Sequence, residues 1–272
     1  MRASHEARNL NICIYCVVDF SFLSWNIQGK RHFTKTRFSK IEPFLRNARA
    51  DILCLQEAHE LGAQLPRFES FKGFNTVLPE NGRNQNVIVS KFPIRTHGEL
   101  EFPKFANRSL EKALWADIAC DGTLMRVYNC HFAIVGVGPS CREQQLQFLL
   151  NHAEEHQGPA IICGDFNTTI PAAGIKRILT QIFHLEPNHS MRIDNQYFSE
   201  DERYPFARVA EKHGFREATD ITKPTWRIAP LRWELFKVKL DWMFVRNVET
   251  RHVALSPYIS DHRAIYAECS VA

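Results

Sequence analysis

Features that would assign this chain to a class at once are largely missing from it. No apolar run approaches the roughly 20 residues that a membrane-spanning helix needs, so we expect no membrane span. No internal repeat, low-complexity tract or Gly/Pro/Ser-rich linker divides the 272 residues, which favours one large domain. A strong excess of one sign of charge is also missing, since 34 Lys and Arg residues stand against 30 Asp and Glu residues. The net charge of +4 is compatible with a phosphate-bearing substrate but is too small to establish nucleic-acid binding.

Cysteine pairs with the spacing of a metal site are also missing. Cys13 and Cys16 form a lone CxxC without a second pair, so the sequence has no zinc-site spacing. Cys54, Cys130 and Cys163 lie inside apolar, strand-like runs, where free thiols behave as small hydrophobic side chains. A reduced protein, cytoplasmic or otherwise intracellular, is therefore the default expectation.

The N-terminal residues fit no targeting pattern well. The stretch NICIYCVVDF follows Arg2 and Arg8 and is apolar, but Asp19 interrupts it and no small-residue cleavage site follows. We predict a poorly integrated extension over residues 1–18 and a single domain over 19–272. A secretory signal is the alternative, so secretion stays open.

Strand-like and helix-like segments alternate from Ser21 onward. TRFSKIEPFLRNARA and CREQQLQFLLNHAEEH have their apolar residues on one helical face, and Pro43 predicts a kink or a helix start in the first. Two strand-like runs flank Asp121-Gly122, a hairpin signal. Residues 184–236 read as long loops with a short helix around Phe206 to Lys212. We identify further strands in the stretches FSFLSWNI, DILCLQE, NVIVSKFPI, PAIICGDFN, KLDWMFV and HRAIYAE. The pattern predicts an α/β (α+β) domain with two packed sheets flanked by helices.

Polar residues follow several of these apolar runs at their ends. They are Asn26, Glu57, His131, Asp165, Asn167, Asp261 and His262. Each alone has a structural explanation, such as a solvated strand end, an Asx turn or a satisfied histidine. Together, the carboxylate and amide oxygens suit a hard cation such as magnesium, and the imidazoles suit proton transfer or phosphate contact. That combination is typical of metal-assisted phosphoester cleavage.

The motifs SWNIQG, LQE, GDFN, KLDW and SDH occur in this order over residues 21–270. This set resembles the endonuclease/exonuclease/phosphatase superfamily, which includes deoxyribonuclease I, apurinic endonucleases, tyrosyl-DNA phosphodiesterases, neutral sphingomyelinases and inositol phosphatases. The resemblance implies a four-layer α/β sandwich with two packed mixed β-sheets between helices. It also implies a phosphodiesterase dependent on magnesium (Mg2+), with Mn2+ as a substitute, that acts by in-line attack of water on phosphorus.

The resemblance further implies a metal site and a phosphate clamp. Glu57 is expected to be the main metal ligand, with Asn26 beside it and Asp261 near the ion. Many nuclease members carry a tyrosine and an arginine between the LQE strand and the histidine strand, where NGRNQNVIVSKFPI of this chain has no tyrosine. Arg108 or Lys112 is the substitute cation that we expect to bind substrate.

The catalytic roles are likewise implied by the matched motifs. Asp165 and Asn167 are expected to orient or deprotonate the attacking water and to contact the phosphate. His131 is expected to contact the phosphate or the leaving group. His262 is expected to meet the scissile phosphate, while Asp241 sets its tautomer. One or two metal ions, and the identity of the general base, stay open at this point.

Aromatic and cationic residues alternate in PTWRIAPLRWELFKVKLDW. This pattern suits stacking on unpaired bases, so Trp226 and Trp233 are predicted to bind substrate; the alternative is a loop pinned by its tryptophans. We expect a monomer acting on a phosphoester in DNA, RNA or a nucleotide-like molecule. Two alternatives remain: a sphingomyelinase- or inositol-phosphatase-like enzyme acting on a lipid or small-molecule phosphoester, and an inactive binding domain. The hypothesis of an inactive binding domain predicts that at least one metal-binding or proton-transfer residue is missing.

Overall fold

The structure is a computed structural model that describes residues 17–28, 35–80, 85–103, 112–133, 139–168, 201–227 and 237–272. Nearly all of the predicted N-terminal extension, including Cys13 and Cys16, lies outside the described residues. Arg108 and Trp233 also lie outside them. The six cysteines that the structure describes are all free and buried.

Fourteen strands are found in the described residues, twelve of them in two large sheets. The first sheet has six strands, in the spatial order β13 (Glu249–Leu255), β14 (Ile265–Val271), β1 (Val18–Asn26), β2 (Ile52–Gln56), β4 (Val87–Ser90), β3 (Asn75–Val77). The second has the order β5 (Ile94–Glu101), β6 (Lys112–Cys120), β7 (Thr123–His131), β8 (Ala160–Asp165), β12 (Asp241–Arg246), β9 (Arg216–Glu217). A separate two-stranded ribbon pairs β10 (Trp226–Arg227) with β11 (Lys237–Val238).

The helices of the described residues pack on the outer faces of the sheets. They are α1 (Lys35–Ala48), the short α2 (His59–Gly62), two 3-10 turns (Leu65–Arg67, Glu69–Phe71), α3 (Pro139–Glu154) and α4 (Arg203–Lys212). Helix α1 continues on both sides of Pro43 rather than beginning there. Ile41 and Leu45 of α1 pack with the outer face of the first sheet, and Leu146 and Leu149 of α3 with that of the second.

Apolar side chains from both sheets form the central core. Val, Ile, Leu, Met and Phe residues of the two facing surfaces pack together and are almost completely buried. Burial of apolar area on this scale is the main force that holds two sheets face to face. The layers therefore run helices, sheet, sheet, helices, which confirms the predicted four-layer sandwich.

Each sheet contains one parallel pair of strands. In the first, β1 runs parallel to β2 with Asn26 opposite Gln56; in the second, β7 runs parallel to β8 with His131 opposite Asp165. Parallel neighbours need a crossover connection, and α1 and α3 lie in the two crossovers. Because the carboxyl ends of parallel strands meet at one edge of a sheet, the sequence motifs at these ends are brought together.

Several strands of the structure differ from the sequence prediction. NVIVSKFPI is not one strand, because β4 ends at Ser90 in the first sheet and β5 begins at Ile94 in the second. Pro93 lies at the break, where it has no N–H to give to a ladder. The last strand begins at Ile265, not His262, and β13 was missed. Strand β13 is an edge strand with mixed burial, so its sequence lacks a clear apolar alternation.

Candidate active site

Asp165 lies at the centre of the site, at the end of β8. Its Oδ2 atom accepts a hydrogen bond from Asn26 Nδ2 at 2.9 Å. The Nε2 atoms of His131 and His262 each lie 3.7 Å from the same oxygen. One carboxylate oxygen thus joins residues from both sheets and from the loop before β14.

The GDFN turn fixes how Asp165 is presented. Gly164 has φ +130, and a Cβ at this position would lie 1.9 Å from the carbonyl oxygen of Cys130. Only glycine therefore allows β7 and β8 to pair closely at this point. Asn167 has φ 51, its backbone N–H donates to Asp165 Oδ1 at 2.9 Å, and its Nδ2 donates to the Phe132 carbonyl at 3.0 Å. The turn thus occupies Oδ1 and leaves Oδ2 toward the histidines.

Burial raises the pKa of Asp165, while the positive charge of His262 and His131 opposes that rise. The negative charge of Asp241 acts in the same direction as burial. The raised pKa of a carboxylate beside two imidazoles is a common feature of a proton-transfer site.

His262 is held between two carboxylates. Its Nδ1 atom lies 2.9 Å from Asp241 Oδ2 and 3.1 Å from Oδ1, so that Nδ1–H donates to Asp241 and Nε2 faces Asp165. Burial alone would lower the pKa of His262, but the charges of Asp241 and Asp165 outweigh it and raise the pKa to about 10. His262 is therefore an imidazolium at neutral pH and can donate a hydrogen bond from Nε2 to an anion.

The loop that carries His262 is fastened to the first sheet. Trp25 Nε1 donates to the His262 carbonyl at 3.2 Å. The Ser260 hydroxyl donates to the Asn26 carbonyl at 2.9 Å and accepts a hydrogen bond from the His262 N–H at 2.9 Å. These two residues lie inside the SWN and SDH motifs, but sequence reasoning did not single them out. The signal that could have identified them is their position next to Asn26 and Asp261 in these motifs.

Buried polar side chains that sequence reasoning also missed bind the backbone of Asp241. The Thr225 hydroxyl accepts the N–H of Asp241 at 2.9 Å. Lys239 Nζ donates to the Asp241 carbonyl at 3.2 Å and pairs with Glu217 at 3.2 Å, and both charged side chains are almost completely buried. Each charge thus has a partner, as buried charges require. Burial raises the pKa of Glu217, and the charge of Lys239 opposes that rise.

The family is decided by comparison with known proteins. Residues 23–262 match the sequence model of the Endonuclease/Exonuclease/phosphatase family. The chain belongs to this family. Its name describes enzymes that cleave phosphoester bonds, and the predicted membership is confirmed.

Solved structures share the fold of this family member. They include an endonuclease/exonuclease/phosphatase from Bacteroides vulgatus, with 17% identity and a TM-score of 0.69 over 93% of this chain and 99% of that one. Another is D. rerio TDP2 complexed with single strand DNA product, with 16% identity and a TM-score of 0.66 over 92% and 98%. A third is ANGEL2, a 2',3'-cyclic phosphatase, with 17% identity and a TM-score of 0.62 over 94% and 96%. At these identities the likeness establishes the fold alone.

No curated protein matches this family member in sequence. Across the described ranges, no helix has the length and apolar character needed to cross a membrane.

Two sets of residues in this endonuclease/exonuclease/phosphatase family member could hold a metal ion. Asp165, Asp241 and His262 offer ligand atoms within 4.8 Å of one another. In that set, however, His262 and Asp241 are already hydrogen-bonded together. Glu57 lies at the end of β2 with φ 54, half-buried, and its carboxylate has no hydrogen bond or ion pair within the described part of the chain. Because β1 and β2 pair in parallel with Asn26 opposite Gln56, Asn26 lies one position from Glu57, and its Oδ1 also accepts the Gln28 N–H at 2.9 Å. Carboxylate and amide oxygens fit a hard cation better than an imidazole does.

Of the residues predicted to bind substrate, the structure describes Lys112 and Trp226, and Trp226 contacts site residues whereas Lys112 is paired with carboxylates. Lys112 Nζ contacts Glu99 at 2.8 Å and Glu101 at 2.7 Å, so its charge is balanced by two carboxylates. Those two carboxylates also raise the pKa of Lys112. Trp226 lies against the site: its Nε1 donates to Asp261 Oδ2 at 3.2 Å, and its ring centroid is 6.5 Å from that of His262.

Proposed function

We propose that the protein is a magnesium-dependent phosphodiesterase that acts on nucleic acid or a nucleotide-like ester. The observation that carries this proposal is the convergence of Asn26, His131 and His262 on one oxygen of Asp165. Two imidazoles and a buried carboxylate form a cluster of proton donors and acceptors that suits a phosphoryl group and a water molecule.

In this proposal Asp165 binds the attacking water and accepts its proton. Asn167 fixes the turn through its backbone N–H, and Asn26 orients the Oδ2 atom. His262, protonated because its pKa is raised to about 10, donates from Nε2 to a non-bridging oxygen. His131 donates to a second oxygen or to the leaving group. The negative charge that develops on the phosphoryl oxygens is therefore met by fixed donors.

Glu57 is the residue that we propose as the main ligand of Mg2+, with Asn26 and Asp261 beside it. When bound, the metal offsets charge on the phosphoryl oxygens. Asp261 lies in the same buried loop as His262, where Trp226 donates to it, so its carboxylate has a fixed orientation.

Features beside the site support a substrate with bases or further phosphates. Trp226 offers an aromatic ring next to His262. The guanidinium of Arg227 stacks on Tyr258 at 4.4 Å, and no carboxylate of the described residues pairs with it. Two structural relatives support the same substrate class, since one is a TDP2 bound to a single strand DNA product and another is a 2',3'-cyclic phosphatase.

The first experiment is hydrolysis of bis(p-nitrophenyl) phosphate by the purified protein in Mg2+. We expect turnover that a chelator abolishes and that Mg2+ restores. Glu57→Gln should lose activity by at least 100-fold, whereas Glu60→Gln, which changes an exposed carboxylate three residues away, should keep it. Equal activity of wild type and Glu57→Gln would contradict the metal assignment.

A second set of substrates tests the class of ester. Single-stranded DNA, RNA, a nucleoside 2',3'-cyclic phosphate and sphingomyelin vesicles are compared at equal phosphoester concentration. A preference of at least tenfold in kcat/KM for the nucleotide substrates supports the proposal. A preference for sphingomyelin would overturn the substrate class but leave the phosphodiesterase chemistry in place.

A further inference from the structure

Three side-chain amides interrupt the apolar core between the two sheets. Gln56, Asn86 and Asn129 are all buried, with exposed fractions of 0% to 1%. Gln56 and Asn129 lie on β2 and β7, and Asn86 directly precedes β4. Two residues from each lies an apolar residue of the core between the sheets, namely Cys54, Val127 and Ile88. We call these three residues the amide clamp.

Asn129 makes hydrogen bonds from the second sheet to two strands of the first. Its Nδ2 atom donates to the Leu55 carbonyl at 2.9 Å and to the Val87 carbonyl at 2.8 Å. Its Oδ1 atom accepts from Gln56 Nε2 at 2.7 Å. Leu55 and Val87 face each other across the β2–β4 pair, so the amide of Asn129 closes the end of that ladder. Asn86 completes the clamp by donating to the Asn129 carbonyl at 3.1 Å.

Such a cluster is not explained by core stability alone. Burying amides costs free energy that their hydrogen bonds only balance, and apolar side chains of similar volume usually pack as well. Apolar contacts between sheets also permit small sliding movements, whereas these hydrogen bonds fix distance and register.

The clamp lies directly below the site. Gln56 is the residue before Glu57, and Asn129 is two residues before His131 on the same strand. The clamp therefore joins the strand end with the proposed metal ligand to the strand end with the phosphate-binding histidine.

We propose that Asn129 is a positioning residue, which together with Gln56 fixes the distance between Glu57 and the His131–Asp165 pair. This inference rests on the proposed phosphodiesterase function. It predicts that loss of the clamp affects turnover more than substrate binding, because a displacement of about 1 Å can cost about 100-fold in rate.

The test compares Asn129→Leu with Val127→Ala. Leucine keeps the branched shape of Asn129, with the same number of side-chain heavy atoms, and removes its hydrogen bonds. Val127 lies on the same strand and the same face, one pleat further from the site. We expect Asn129→Leu to lower kcat 10- to 100-fold with KM changed less than threefold, and Val127→Ala to change kcat less than twofold. If Asn129→Leu does not fold, Gln56→Met removes one bond of the clamp and should lower kcat three- to tenfold.

A second readout does not depend on activity. The 15N ring resonances of His131 and His262, assigned with His131→Gln and His262→Gln, should shift in Asn129→Leu but not in Val127→Ala. Equal effects of the two variants on kcat and on these resonances would overturn the inference. If the wild type cleaves no phosphodiester, the proposed function fails, and the resonances alone still decide whether the clamp positions the histidines.

Discussion

The most informative single residue in this protein is Asp165. It is buried, one oxygen is occupied by its own turn, and the other faces Asn26 and two histidines. A carboxylate placed this way is poised to hold a proton-donating water. The sequence placed Asp165 in a GDFN motif, but it did not show which oxygen faces the histidines.

Asp165→Asn should lower kcat by 100- to 10,000-fold with little loss of stability, because asparagine keeps the shape and removes the proton acceptor. The measurement is steady-state hydrolysis with thermal unfolding of the same sample. Asp117→Asn is the matched control, since it makes the same chemical change in the same sheet, outside the site. A loss below tenfold for Asp165→Asn would remove the proposed role of that carboxylate.

At the scale of an element, the β7–β8 pair depends on one glycine. Gly164 is in close contact with the backbone of Cys130, and both strands end in site residues. A side chain here would force the two strands apart at the point where His131 and Asp165 must meet.

Gly164→Ala should therefore destabilise the protein by several kcal/mol and abolish activity. Gly73→Ala is the control, because Gly73 also has a positive φ (+83) but no atom lies within 4 Å of its added Cβ. The control should lose only about 1 kcal/mol, the cost of the left-handed backbone. Urea unfolding of both variants gives the comparison, and equal losses would show that crowding at Cys130 is unimportant.

The β6–β7 hairpin contains a cross-strand ion pair between Asp117 and Arg126. Arg126 Nε and Nη2 donate to the two carboxylate oxygens at 2.6 and 2.8 Å, and Thr96 also donates to Asp117. Burial alone would raise the pKa of Asp117, but these hydrogen bonds outweigh it and lower the pKa.

A lowered pKa in the folded state stabilises the protein above the unfolded-state pKa of about 3.9. That stabilisation is lost as the pH falls through the lower folded-state value. Asp117→Asn should thus be about 1–2 kcal/mol less stable than wild type at pH 7, allowing for solvent screening. The difference in free energy of unfolding between wild type and Asp117→Asn should become smaller between pH 4 and pH 2. Urea unfolding against pH measures it, with Asp121→Asn as an exposed control in the same hairpin. A gap that is constant with pH would refute the electrostatic account.

At the scale of the whole molecule, the site lies where two sheets meet. Asn26 and Glu57 end strands of the first sheet, while His131 and Asp165 end strands of the second. A ligand bound there contacts both halves of the sandwich and so stabilises the folded chain as a unit.

We therefore expect Mg2+ to raise the melting temperature of the wild type. A metal at 100 times its Kd adds about 2.7 kcal/mol, which corresponds to roughly 5–10 °C for a domain of this size. Differential scanning calorimetry at constant ionic strength measures the shift. Glu60→Gln should keep the shift and Glu57→Gln should lose it; an unchanged shift in Glu57→Gln would place the metal elsewhere.

The sequence by itself determined the layers and singled out most of the residues of the candidate site. Alternation of apolar runs, the Asp121-Gly122 turn and the face of α3 are local patterns, and local patterns persist in the chain whatever it packs against. The motif residues were visible for the same reason, since each follows directly on a strand. The edge strand β13 was invisible because its burial depends on a neighbour in space.

Only the tertiary structure decided how those motifs meet. The convergence of Asn26 and His131 on one oxygen of Asp165, the buried Lys239–Glu217 pair and the bonds from Asn129 to β2 and β4 join residues that are not neighbours in sequence. A sequence carries no distance between such residues, because that distance is set by the register of each sheet and by the packing of one sheet on the other. The pairing of β5 with β6 places Glu99 and Glu101 beside Lys112, and the residues around Lys112 in sequence did not reveal these partners.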